Sequence, residues 1–351
     1  MQHYTPHPSS LFEGYYSKFR LPTGAHLALI ICSVPRATSL PPHMLSLTYV
    51  PRTQSPKNPV WQREFWVPDI QRVVLDSRTS AFELRVPGYG VMRCNAEGGT
   101  EWDIEAEGVR FRAKTTGTRV AWGKEVGGGT PEGWLVKLPL PLHWHVHSLE
   151  AACEFELDIP SLGESFPIED RNGKGVVHQE KNWANSFPES HVWVQATTDG
   201  GSGVCMAGGR ILGMTAFLLG YRSKDLNVDF APPFALGVQL PLISRFLSPF
   251  MAVDVDYQNR TFKLAVQSLW RKIELKAKAP RGTFFGLGAP FSEGHRKNFC
   301  GESFEAKVEI VVFERSWWPW SAWVEVKREM FEGASLEFGG KYYGDRGEKR
   351  D

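Results

Sequence analysis

Nearly the whole chain is written in the two-residue period of β-strands, and this limits the folds open to it more than any other feature. Ala25–Val34 is apolar at both parities, the pattern of a strand covered on both faces. Phe82–Val86, Val109–Ala113 and Arg119–Trp122 alternate apolar and polar residues, with Gly- and Thr-rich turns between them. Leu135–Leu157 reads as two strands interrupted near Ser148–Leu149–Glu150. Further on come Val192–Thr197, Gly203–Gly209, Phe217–Tyr221, Asn227–Phe230, Ala252–Asp256, Thr261–Gln267, Lys272–Ala277, Ala306–Phe313 and Trp323–Lys327. Amphipathic helix patterns are scarce. Pro59–Val74 is the best place for helical turns, and Leu240–Phe250 is the second. Many short strands with Gly/Pro turns predict closed or nearly closed antiparallel barrels.

A length of 351 residues suggests two domains, at about 150 residues each. The Pro/Gly-rich stretch Ile159–Gly175, with the turn Arg171–Asn172–Gly173, reads as the linker. Domains 1–170 and 171–351 follow, with the boundary between Ile159 and Val177. A weak repeat agrees with this division. Glu13 and Tyr16 precede one apolar strand as Glu180 and Trp183 precede another, so two similar units are expected, each opening on a Glu/aromatic strand.

Charge is balanced, with 40 basic and 39 acidic residues, so neither nucleic acid nor an anionic surface is called for. The five cysteines are odd in number and lack a CxxC spacing, which fits buried free thiols in a reducing compartment. No secretory signal is legible, and a cytoplasmic location is expected. No apolar run approaches the ~20 residues of a membrane-spanning helix, although peripheral contact with a membrane stays open. Oligomeric state is not legible.

Phosphate loops, dinucleotide-binding glycines, nucleophile elbows and HExxH helices are missing from the sequence. The one metal-like pattern is His143–Trp144–His145–Val146–His147, whose three imidazoles share a strand face. Alternate strand residues lie ~7 Å apart, too far to converge on one ion without help. No metal or cofactor is expected there. Hydrogen bonding to backbone, a place in a cavity wall, and an acid/base role for His145 or His147 remain the readings.

The densest stretch is His178–Ala196, HQEKNWANSFPESHVWVQA. Glu180 has two readings. It is either a structural, ion-paired carboxylate, or a proton donor that desolvation against Trp183 and Trp193 keeps protonated. Asn182 shares its strand face and could orient it. Tyr16, Trp134, Trp183 and Trp193 are candidates for an aromatic wall, where each face stabilises a cation by ~0.5–2 kcal/mol. Ordinary core packing is the alternative for each. Gln195 and His191 share the parity of Trp193.

E-K-N-W-x-x-S-F-P (Glu180–Pro188) followed by W-V-Q (Trp193–Gln195) resembles the central motif of the tocopherol cyclase family. Leu11–Lys18 looks like the family's F-E-G-W-Y-x-K opening, and Leu287–Pro290, Glu314–Arg315 and Glu337–Gly340 look like its C-terminal blocks. The likeness runs in order over most of the chain. Tyr15 stands where the family usually has Trp, Ala184 where it often has Gly, and His191 where an aromatic is common. The opening at Phe12 leaves little room for the transit peptide that plant members carry.

The resemblance implies an all-β protein with little helix, made of two tandem lipocalin-like antiparallel β-barrel or half-barrel domains. It also implies a cofactor-free cyclase that closes an oxygen heterocycle on a prenylated aromatic or related hydrophobic substrate, by alkene protonation and substrate folding. Glu180, Asn182, His145 and His147 are then the catalytic candidates. Glu13, Tyr16, Trp134, Trp183, Phe187, His191, Trp193 and Gln195 are the substrate-binding ones. Two alternatives stand beside this: a cavity running another ring closure such as a cycloaddition, and a non-catalytic carrier of a hydrophobic small molecule.

Overall fold

A computed structural model of the protein describes residues 3–55, 58–76, 78–79, 81–123, 129–185, 187–211, 213–240, 245–316, 318 and 321–344. Strand makes up 60% of it and helix 4%, arranged as two tandem lipocalin-like antiparallel β units, one a half-barrel. The units are Met1–Phe187 with Pro290–Arg296, and Pro188–Ala289 with Lys297–Asp351.

The first unit contains β1 (Phe12–Arg20), β2 (His26–Ser33), β3 (His43–Val50), β4 (Trp61–Trp66), β5 (Gln71–Asp76), β6 (Ala81–Val86), β7 (Gly90–Cys94), β8 (Thr100–Ala106), β9 (Val109–Thr115), β10 (Leu142–Asp158) and β11 (Asn172–Ala184). They form one sheet in the order β4-β3-β2-β1-β11-β10-β9-β8-β7-β6-β5. Its inward side carries Phe19, Leu27, Leu29, Leu47, Phe82, Trp102, Phe111, Phe155 and Val177, all buried.

The second sheet is built from β12 (Ser190–Thr197), β13 (Gly203–Ile211), β14 (Met214–Arg222), β15 (Asn227–Phe230), β16 (Leu236–Leu240), β17 (Arg245–Leu247), β18 (Met251–Asp256), β19 (Thr261–Gln267), β20 (Arg271–Lys278), β21 (Phe285–Phe291), β22 (Gly294–Glu314) and β23 (Val324–Gly340). Its order is β17-β16-β14-β13-β12-β23-β22-β20-β19-β18, with β15 on β14 and β21 on β22. Val192, Val194, Phe217, Phe262, Leu275, Ile310 and Phe338 fill its core.

Four expectations are corrected. Pro59–Val74 is not helical. Pro59 and Pro68 leave runs too short for a helix, and these become the terminal strands β4 and β5. Of Leu240–Phe250, Leu240 and Arg245–Leu247 are strand, 248–250 is irregular, and residues 241–244 lie outside the described residues. Arg119–Trp122 is irregular. The interruption foreseen near Ser148 is a pair of register shifts within one continuous strand, β10.

The boundary also falls later than the 159–177 window. β11 is hydrogen-bonded between β1 and β10, so it completes the first sheet and the chain changes unit only after Phe187. Ile159–Gly175 folds back onto that sheet. Its fully buried Asp170 accepts hydrogen bonds from the Thr23 N–H (3.2 Å), the Thr23 hydroxyl (2.7 Å) and the Tyr49 hydroxyl (2.9 Å). The repeat has another meaning as well. β1 and β11 are antiparallel neighbours in one sheet, with Glu13 opposite Trp183 and Tyr16 opposite Glu180.

Candidate functional site

Because side chains alternate across a strand, the β1–β11 pair gives the first unit two chemically different faces. Glu13, Tyr15, Gln179, Lys181 and Trp183 point inward. Tyr16, Lys18, His178, Glu180 and Asn182 point to the opposite side. On β10, His143 and His145 pair with Trp183 and Lys181, so they join the inward set.

The inward face holds a fully buried ion pair. Lys181 Nζ lies 2.6 Å from Glu13 Oε1, and neither side chain is solvent-exposed. The ammonium also donates to the Thr5 carbonyl and, at 2.7 Å, to His7 Nδ1, so its three protons are all engaged. The Tyr15 and Trp183 rings lie 4.8 and 5.2 Å from it. Glu13 further accepts from the His7 backbone N–H (2.6 Å) and from Arg72 Nη1 (3.3 Å). Burial alone would raise the Glu13 carboxyl. The Lys181 charge and the hydrogen bonds from His7 and Lys181 overcome this and hold it down at about 2. Burial lowers Lys181 to about 8 against the opposing pull of Glu13.

The segment before β1 packs against the inward face. Tyr4 is 1% exposed and stacks on His147 at 3.8 Å, and Gln179 donates to its hydroxyl at 3.1 Å. His7 stacks on Trp183 at 4.2 Å. His147 Nε2–H donates to the Gly98 carbonyl at 2.9 Å, and burial, helped by the nearby Arg119 charge, drives this imidazole down to about 3. His145 is 0% exposed, and neither ring nitrogen has a hydrogen-bond partner among the described residues. Burial, then the neighbouring His147, pushes it well below the ordinary histidine range. It is therefore a neutral ring among rings. His145→Leu should leave stability unchanged or raise it by ~1 kcal/mol, since a buried polar group without a partner is removed. Chemical denaturation measures this. A folded variant with turnover lowered tenfold or more would instead give His145 a chemical role.

The opposite face carries a different arrangement. His178 Nδ1 faces the Leu149 carbonyl at 3.2 Å and Nε2 faces Glu180 Oε2 at 3.0 Å. A carbonyl only accepts, so Nδ1 carries a proton. A hydrogen bond between Nε2 and Glu180 Oε2 needs a proton between them, which either group can carry. Such a dyad can pass one proton. The Glu180 side chain keeps 10% of its exposure, in contrast to the sealed Glu13–Lys181 pair. Tyr16 lies directly across the strand pair from Glu180. Gly14 sits opposite Asn182, and a Cβ on it would lie 2.7 Å from Asn182 Oδ1, so the glycine of the Phe12–Glu13–Gly14 opening makes room for that amide.

The residues singled out in the sequence therefore separate. Glu13, His145, His147 and Trp183 come together inside the first unit. Tyr16, Glu180 and Asn182 share the other face, so Glu180 points away from the side of Trp183, and Tyr16 is not part of the inner wall. That place belongs to Tyr15. Trp134 is 64% exposed on a 3-10 turn. Phe187 packs between Phe12 and Phe291, at 5.6 and 5.7 Å. His191, Trp193 and Gln195 belong to β12 of the second unit, on the face away from core residues Val192 and Val194. Parity alone would have paired Lys181 with Trp183 and His178 with Glu180. Nothing local announces Tyr4, His7 or Arg72.

No protein-family model and no curated protein matches this sequence. Several solved structures do. CghA in complex with Sch210972 is 12% identical, with 94% of this chain and 88% of that one covered at a TM-score of 0.56. Kievitone hydratase from Nectria haematococca is 11% identical, with 96% and 91% covered at a TM-score of 0.51. At such identities the likeness is one of fold. Among the described residues no helix is long and apolar enough to cross a membrane.

Proposed function

We propose that the protein is a tocopherol cyclase-like, cofactor-free cyclase that closes an oxygen heterocycle of the chroman type on a prenylated aromatic or related hydrophobic substrate. The observation that carries this reading is the 3.0 Å contact between Glu180 and His178 on a face that keeps some exposure. Glu180 delivers that proton to the less substituted carbon of a trisubstituted alkene. The phenol oxygen bonds to the resulting tertiary cation and gives its proton back to the dyad, so the reaction is a net isomerisation. Tyr16, across from Glu180, offers an aromatic face worth ~0.5–2 kcal/mol to the cation. Asn182, beside Glu180 on that face, orients the phenol. Holding the flexible tail near its attack geometry supplies up to ~7–11 kcal/mol more.

The solved structures of like fold support this reading at a coarser level. One was solved with Sch210972, and another is named a hydratase. Acid-catalysed hydration of an alkene and ring closure onto one share their first step, delivery of a proton to carbon. The sealed Glu13–Lys181 pair has the marks of a scaffold beneath this face.

Turnover of a prenylated phenol in D2O tests the proposal. One deuterium should appear on the carbon that the alkene loses to saturation. Ring closure without deuterium would replace the acid mechanism with an acid-free one such as a cycloaddition. Retention of a hydrophobic molecule through purification, read by mass spectrometry of an organic extract, with no conversion would make the protein a carrier.

A further inference from the structure

We propose that His191, Cys300 and Glu337 of the second unit form a binding site for a single zinc-like divalent metal ion. The proposal is independent of the reaction above. One nitrogen, one sulfur and one oxygen donor, from β12, β22 and β23, lie within 4.8 Å of one another. His191 Nε2 is 2.5 Å from Glu337 Oε1, and Cys300 is 4% exposed.

The register explains how three strands bring the donors to one face. Gly339 of β23 lies opposite both His191 and Cys300. A Cβ on Gly339 would fall 1.9 Å from Cε1 and 2.3 Å from Nδ1 of His191, so the imidazole occupies the space a side chain would take. Without that glycine the ring could not lean across β23 toward the thiol. Glu337, two positions earlier, presents its carboxylate on the same face.

The donor set fits the ion. Thiolate and imidazole suit zinc, and a carboxylate completes three protein ligands, leaving a fourth tetrahedral position open. Bond lengths of ~2.0–2.3 Å place ligand atoms ~3.3–3.8 Å apart, so binding parts His191 Nε2 from Glu337 Oε1, now 2.5 Å away, while the Cys300 sulfur closes on both. It also exchanges the His191–Glu337 hydrogen bond for two metal bonds. Cys300 releases its thiol proton to solvent as it binds. Glu302, 1% exposed, sits directly opposite Glu337 on the neighbouring strand. Like charges so placed repel, and a cation offsets them.

Titrating the full chain with cobalt(II), after treatment with a chelator, tests the site. One ion per chain should bind, with an intense near-ultraviolet sulfur-to-metal transition. Cys300→Ser should abolish that transition. Glu337→Gln should weaken binding more than tenfold, since outer-shell changes alone cost ~10–100-fold. Should Cys300→Ser fail to fold, the Glu337→Gln titration decides, because it keeps every cysteine. No sulfur-to-metal transition, one that survives Cys300→Ser, or unchanged affinity in Glu337→Gln overturns the proposal. Cobalt held by the three-histidine strand would bind without the sulfur band and would also overturn it.

Discussion

Glu180→Gln is expected to keep the fold and to lower turnover by ~10²–10⁴-fold, the contribution of a general acid. The reason lies in the hydrogen bonds around His178. With Nδ1–H committed to the Leu149 carbonyl, Nε2 can accept from the new amide, so the local geometry survives. What disappears is the proton that can leave. His178→Gln should lower turnover less than Glu180→Gln, because the carboxyl remains and loses only the partner that shares its proton. Circular dichroism and denaturation confirm folding, and steady-state rates on a prenylated phenol give the effect. Turnover within about threefold of the parent, below the ~10²-fold lower bound, would leave Glu180 as a structural carboxylate. The face would then act by folding its substrate alone.

Lys181→Met should destabilise the first unit by ~3–5 kcal/mol, the usual cost of stranding one member of a buried ion pair. Methionine nearly fills the lysine's volume, so the loss reports charge rather than packing. Glu13 would stay with Arg72 and His7 but without the ammonium that lies 2.6 Å away. The effect depends on pH. The Glu13 carboxyl is lowered in the fold from its ordinary value of 4.5 to about 2 by the Lys181 charge and its hydrogen bonds. Its contribution is therefore complete above the unfolded value and fades as pH falls through the folded one. The gap between parent and variant should be full at neutral pH as far as Glu13 is concerned and narrow steadily below pH 4.5. The double change Glu13→Leu/Lys181→Met should recover much of the loss, since neither charge is then left alone. Urea denaturation at neutral pH and near pH 3 reads both effects. A neutral-pH loss under ~1 kcal/mol, the scale of an exposed pair, would show that solvent reaches this site.

The Glu180 region shows how far sequence reasoning reaches. Residue types and alternation put a carboxylate, an amide and aromatic residues on short strands, and the strand period put Asn182 on the face of Glu180. The same period puts Trp183 and Lys181 on the other face, which a reading of the motif as one cluster passes over. His178 was in view, but its role depends on the Leu149 carbonyl, brought alongside by the pairing of β10 with β11. Arg72 and His7 reach Glu13 only through contacts that no local pattern encodes.

By itself the sequence determined the all-β class and many of the strands, because a two-residue period and turn chemistry are local properties of the chain. It also put forward the residues whose chemistry is proposed above. The tertiary structure decided which of those residues meet. Pairing β11 beside β1 turned an apparent tandem repeat into two facing strands and moved the change of unit past Phe187. Packing of the N-terminal segment sealed Lys181 and Glu13 inside, leaving Glu180 on the face that retains exposure. The glycine at 339 let His191 lean toward Cys300 across an intervening strand. Each of these joins residues far apart in sequence, and such pairings are settled by burial and register over the whole sheet.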